Sequence, residues 1–252
     1  MDRLKVFSST SVKSIAILMM LIDHFAATIL YSLIVDRGYK EYADLYYFCR
    51  YIGRVAFPIF CYILVEGFIH TKNLEKYIKR MLLFAFISEV PFDMAIKGVF
   101  LEFSHQNVFF TLALGLIAIW FIEYSFNNFR YDDPIRIAGA WCGVSICCAI
   151  TYYAKTDYAL IGVIIVVLIY LFRNAPVIPC FIGPVLLIVW EYIKYYGENR
   201  TRYFEIASFL AVPILLMYNG KRGHLKIKWL FYIIYPLHLF IIGLVRMRYF
   251  NG

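Results

Sequence analysis

Apolar runs of about 20 residues, each long enough to cross a hydrocarbon core roughly 30 Å thick, recur along the whole of this chain. They fall at residues 14–35, 45–69, 77–99, 108–124, 135–153, 158–172, 177–195, 203–218 and 229–245. One such run can hide inside a soluble core. Nine in succession cannot, because 62% of the residues are hydrophobic and 17% charged, against about a quarter charged in a soluble domain. The bilayer is the solvent this chain is written for.

Runs near 20 residues without strict alternation predict helices rather than barrel strands, since a lipid-facing strand alternates residue by residue. The expected fold is all-α: a polytopic transmembrane helical bundle of about nine spans. The sixth run is the shortest, and short loops make residues 1–252 a single integral membrane domain with no internal repeat. Residues 14–22, preceded by Arg3, Lys5 and Lys13, have the look of a signal-peptide core, but the apolar run resumes at Ile29 and reads better as a span. The six cysteines, Cys49, Cys61, Cys142, Cys147, Cys148 and Cys180, lie within or at the ends of apolar runs without paired ligand spacing, so no metal is expected.

A net charge of +8 suggests nucleic acid only until its distribution is read. The basic residues sit in short clusters between apolar runs rather than along one face, which excludes a nucleic-acid partner and fits the positive-inside rule. Three clusters share one side of the membrane: Arg3, Lys5 and Lys13; Lys72, Lys76, Lys79 and Arg80; and Lys221, Arg222, Lys226 and Lys228. A cytoplasmic N-terminus in the cell membrane is expected, with the loop at 194–202 the one contrary segment. Such basic ends also suit lipid headgroups or an anionic cytosolic cofactor.

Ionisable residues inside spans are costly in hydrocarbon and face partners or water-filled cavities. The first span carries Asp23 and His24, the second Arg50, Arg54 and Glu66, the third Glu89 and Asp93, the last His238 beside Tyr235. Lys13 and His24 are eleven residues apart, which brings them to within about 20° of one helix face and roughly 16 Å apart along it. That places a cation at the membrane edge below an imidazole near mid-membrane, unless Lys13 merely snorkels and His24 packs a neighbour. His24 is the best acid-base candidate, because its ordinary pKa lies near neutrality. Asp23 points about 100° away, so Glu66, Glu89 or Asp93 is the alternative orienting carboxylate. Arg50 and Arg54 share a face, as do Glu89 and Asp93, with Pro91 between the carboxylates. They read equally as interhelical ion pairs and as a polar cavity in which the arginines clamp an acyl or phosphate group. His238 is either a packing or a substrate-binding ring. No Gly-rich phosphate loop, HExxH or GxSxG is present.

The stretches KSIAILMMLIDHF, GRVAFPIFCYILVEGF followed by HTKN, and RMLLFAFISEVPFD resemble the TraX family of membrane proteins. FFTLALGL, TDYALIGV, YNGKRG and FYIIYPLHL continue the resemblance in order, over nearly the whole chain. The family is named for a conjugative pilin acetylase, so the resemblance implies acetyl transfer from acetyl-CoA to an amine. It is also similar to the wider acyltransferase 3 group, whose first span carries an Arg, ten residues, then a functional His. Lys13 and His24 match that spacing, with Lys losing the bidentate fork of Arg.

The expected function is therefore an N-acetyltransferase using acetyl-CoA as co-substrate, with the acceptor a pilin N-terminus, an amino sugar or a small amine. Lys13, Arg54, Arg80, Lys221 and Arg222 would meet the cofactor, and Arg50, Tyr235 and His238 the substrate. His24 would take the acceptor's proton, with an acetyl-histidine the less favoured route. The rivals are a proton-coupled transporter of a small polar solute, built on the same buried charges, and a non-catalytic scaffold.

Overall fold

The computed structural model describes residues 5–195, 204–223 and 228–250. Arg3, Lys226 and most of the 194–202 loop, used above for orientation, lie outside the described residues, as does the side chain of Lys228. Among the described residues every regular element is helical, and nine rods follow one another. They are α1 (Ser9–Val35), α2 (Lys40–His70), α3 (Leu74–Ile96), α4 (Val108–Asn128), α5 (Pro134–Tyr153), α6 (Ala159–Leu171), α7 (Ile178–Lys194), α8 (Phe204–Leu216) and α9 (Lys228–Tyr249). Five of them, α1, α2, α4, α5 and α9, are long and apolar enough to cross a membrane by length and composition. The charged α3 and the shorter α6, α7 and α8 pack among these, completing a bundle of about nine spans embedded in the membrane.

The rods begin where the sequence supplies caps. Ser8 accepts from Ser11 N at the head of α1, Asn73 from Lys76 N at α3, Asn107 from Phe109 N at α4, and Asp133 from Ile135 N at α5. Large apolar side chains such as Phe48, Phe86, Trp141, Ile146, Val189 and Ile241 stay exposed around the outside. In water that belt would be a liability; in lipid it is the solvated surface. Inside, α4 and α6 approach closely at Gly115 and Gly162, where added Cβ atoms would press on Val166 and Thr111.

Three rods rise together from the face where α1 begins, here the N-terminal face. Phe231 of α9 lies against Lys13, Tyr232 against Phe84, and Gly243 against Met94, so α1, α3 and α9 are parallel neighbours. Arg246 of α9 donates to the Ala95 carbonyl at 2.9 Å and to that of Ile96, closing the C-terminal end of α3.

At one depth the regular backbone gives way. In α1 a π-helical turn spans Ala26–Leu30, and Thr28 donates its hydroxyl to the His24 carbonyl at 2.5 Å. In α2 the helix is interrupted between Ala43–Gly53 and Ala56–His70. Pro58 is the cause: it lacks the N–H that would bond Arg54, and its ring crowds that carbonyl. Residues 97–107 turn back along α3 until Asn107 donates to the Ala85 carbonyl at 2.8 Å, about 16 Å of helix rise below the end of α3. Residues 154–158 meet them through the Gln106 and Thr156 bridge, with Lys155, Tyr158 and Ala159 all at positive φ. Non-helical backbone at such depth is tolerated where it is buried in protein or lines a cavity.

Candidate functional site

The disturbed backbone surrounds a polar layer about 22 Å of helix rise from the N-terminal face, the depth of His24 on α1 and Glu89 on α3. His24 Nδ1 lies 2.7 Å from His238 Nε2, with the rings stacked at 5.0 Å and 10°. The other nitrogen of His238, Nδ1, lies 2.7 Å from the Ile234 carbonyl. A carbonyl only accepts, so His238 Nδ1 carries its proton, and in the neutral ring Nε2 is an acceptor. His24 Nδ1 must then donate. In a neutral His24 it is then Nε2 that carries no proton and keeps its lone pair. Tyr235 closes the third side edge-on, its ring 5.8 Å from His24, 5.6 Å from His238 and 4.8 Å from Phe109.

One residue earlier, Asp23 faces away into α2. It accepts from Arg50 at 2.7 Å and, through both oxygens, from Arg54 at 2.7 Å. Gly53 makes the approach possible, because a Cβ there would overlap the Asp23 side chain. Arg54 also reaches Glu205 at 3.3 Å and the Tyr158 hydroxyl at 3.4 Å, while Glu191 accepts the backbone N–H groups of Phe204 and Glu205. The knot ties α1, α2, α6, α7 and α8 together.

Of the two readings of the arginines, the structure contains the ion pairs. Arg50 and Arg54 are engaged by carboxylates, and Arg54 stands apart from the basic groups of the N-terminal face with which the sequence grouped it as a cofactor contact. Glu66 is also elsewhere. It accepts from the Tyr218 hydroxyl at 3.3 Å and lies 3.9 Å from His70, some 18 Å of helix rise from Arg54 toward the N-terminal face. Glu89 accepts from the side chain and backbone of Asn107, and Asp93 from the Glu102 backbone N–H at 2.7 Å. No carboxylate holds His24 Nδ1; an imidazole does.

The basic residues gather at the other level. Lys13 lies 5.6 Å over the Phe231 ring, and the 219–223 turn docks on the head of α1 through the Ser9 N to Lys221 O bond of 2.9 Å. Arg80 stands 5.8 Å over the Tyr77 ring within reach of Tyr232, its Nε buried without a hydrogen-bond partner among the described residues. Lys221 and Arg222 are exposed. The common face read from the spacing of Lys13 and His24 is therefore real: both look onto α9, at Phe231 and at Tyr235 and His238. Tyr158, Glu205, Glu191, Asn107 and Thr28 were missed. Asn107 had a signal, as a capping residue before an apolar run, but the others read as ordinary loop or span residues.

A family model described as TraX protein matches residues 8–246. The chain is 30% identical to a probable fimbrial assembly protein FimC, serogroup H1, of Dichelobacter nodosus, over 96% of each chain. It is 22% identical to an uncharacterized protein of Rickettsia prowazekii (strain Madrid E), over 86% of this chain and 82% of the other. No solved structure matches.

Proposed function

The chain belongs to the TraX family, and from that premise we propose that it is an N-acetyltransferase of the cell membrane, moving an acetyl group from cytosolic acetyl-CoA to an acceptor amine. The observation that carries this reading is the His24 imidazole, whose contact with His238 leaves Nε2 unprotonated inside a polar layer of a membrane bundle. The likeness to a fimbrial assembly protein supports a pilin amine as acceptor; amino sugars and small amines share its chemistry.

The N-terminal face is taken as cytoplasmic, because Lys5, Lys13, Lys72, Lys76, Lys79, Arg80, Lys221 and Arg222 lie at that face. Lys13, Arg80, Lys221 and Arg222 are a donor set suited to the CoA phosphates, and the orphaned Arg80 Nε fits a group still to be bound. Once bound, acetyl-CoA supplies an activated thioester. His24 Nε2 then removes one proton from the acceptor ammonium, which has no lone pair until it loses one. As the nitrogen bonds to the acetyl carbon and the carbon–sulfur bond breaks, the second amine proton goes to sulfur. The products are amide, free CoA thiol and one proton on His24 for release to solvent. His238 holds Nδ1–H throughout and spreads the charge of the imidazolium.

The test is acetyl transfer by purified, folded protein beside a separate acetyl-CoA binding titration. His24→Ala and His24→Gln should lose about a hundredfold or more of turnover while keeping acetyl-CoA binding, since neither Ala nor an amide acts as a base near neutral pH. Near-normal turnover in either variant would make His24 a packing residue. A wild-type protein that neither binds nor hydrolyses acetyl-CoA would favour solute transport through the same polar layer.

A further inference from the structure

On the side of the layer away from the arginine knot, three buried oxygens lack partners. Glu89 is 7% exposed and Asp93 1%, one helical turn apart on a single face of α3. Each carboxylate commits one oxygen to the segment folded back along α3: Glu89 Oε2 to Asn107, Asp93 Oδ2 to the Glu102 backbone. Glu89 Oε1 and Asp93 Oδ1 have no hydrogen-bond partner among the described residues, and neither has the hydroxyl of Tyr235, a residue 3% exposed. That hydroxyl is within electrostatic reach of Glu89, and it approaches the Val108 backbone N–H without closing a bond. Its ring is the one that flanks His24.

Such orphans need an explanation, because each forfeits about 1–3 kcal/mol of hydrogen bonding when buried alone. Lys97 and His105 are within electrostatic reach of Asp93, but Lys97 pairs with Glu102 at 3.7 Å and His105 with Asp157 at 3.8 Å, and neither bonds the partnerless carboxylate oxygens. A metal ion fits poorly, since no group of three or more His, Cys, Asp or Glu among the described residues could hold one. What matches two carboxylate oxygens and a hydroxyl oxygen is a small cation carrying three N–H donors.

We propose that Glu89, Asp93 and Tyr235 form the seat for a primary ammonium group, the protonated acceptor, entering past residues 97–107 from the face opposite the N-terminus. The inference rests on the acetyltransferase reading for the fate of that amine, while the seat itself is a binding site with its own measurement. It divides the labour: the carboxylates gather the cation, Tyr235 hands it toward the imidazole, and His24 Nε2 removes the proton.

Equilibrium binding of radiolabelled methylammonium to the purified full-length protein in detergent tests it. The expected result is saturable binding, weakened at least tenfold in Glu89→Gln and in Asp93→Asn, weakened severalfold in Tyr235→Phe, and retained in His24→Gln. Tetramethylammonium, which keeps the charge but has no N–H, should compete at least tenfold less well. Wild-type binding that does not saturate, equal binding by folded Glu89→Gln and wild type, or equal competition by tetramethylammonium would each overturn the seat and leave these carboxylates as staples for residues 97–107. If the carboxylate variants do not fold, Tyr235→Phe decides, with unchanged binding overturning the proposal. Acetyl-CoA binding by the same preparation separates the two readings. Methylammonium bound without acetyl-CoA removes the acetyltransferase and keeps the seat; acetyl-CoA bound without methylammonium does the reverse.

Discussion

A histidine acts as a base only through the nitrogen that lacks a proton, so the chemistry of His24 is decided by what holds Nδ1. That group is His238, itself anchored by the Ile234 carbonyl of its own helix turn. His238 is thus a positioning residue, and its replacement should disturb the tautomer rather than the fold. His238→Gln can still accept from Nδ1 through its amide oxygen, whereas His238→Leu cannot. We expect His238→Leu to lower turnover by about tenfold to a hundredfold, by analogy with the loss of a partner that orients a metal-bound imidazole. His238→Gln should recover most of that loss, and acetyl-CoA affinity should change in neither. Turnover and binding measured side by side check this; equal rates in the two variants would reduce His238 to packing.

At the scale of elements, the site exists because helices are interrupted where they meet. Pro58 breaks α2 at Arg54, freeing the turn that delivers two arginines to Asp23, while Gly53 lets α1 come close enough to be gripped. Just past His24, α1 passes through a π-helical turn in which the Thr28 hydroxyl donates to the His24 carbonyl. Gly53→Ala should therefore be costly despite its size, since overpacking alone runs to about 1–3 kcal/mol, and any loosening of Asp23 leaves two half-buried arginines short of a partner. Thermal unfolding in detergent reads this directly. A midpoint equal to wild type would mean that the α1 and α2 contact yields freely. Gly38 has open space around it but is a poor control, because at its positive φ an added Cβ is strained by the backbone alone.

For the whole molecule, two layers are set apart along the membrane normal. Cations gather near the N-terminal face, and the imidazoles, carboxylates and arginine knot lie about 22 Å deeper. The proposal that CoA docks on the cation side requires that side to be cytoplasmic. Cysteines introduced near Asn73 and Gly223 should be labelled by an impermeant thiol reagent only from the cytoplasm, and one near Arg37 only from outside. Reversed labelling would put the cation layer on the wrong side for a cytosolic cofactor. Arg37 is a useful reporter because it sits at the far end of α1, where its guanidinium meets the Tyr249 carbonyl at the end of α9.

The helical, membrane-embedded character of the chain was legible in its apolar runs, because backbone in hydrocarbon must satisfy its own hydrogen bonds and a helix does so locally. The common face of Lys13 and His24 was legible too, since helix periodicity is a property of one segment. The choice of partner was not. Glu66, Glu89 and Asp93 were equal candidates to orient His24, yet it is His238 that arrives, because α9 runs parallel to α1 at the right height. Arg54 left the cation group for Asp23 because Pro58 and Gly53 shape a contact between two helices, and Tyr158 and Glu205 reach the same guanidinium from rods far along the chain. Spacing within a helix fixes direction, but only packing between helices fixes which charges meet, since in lipid an unpaired charge is too costly to leave and the neighbour able to pair with it is set by the bundle.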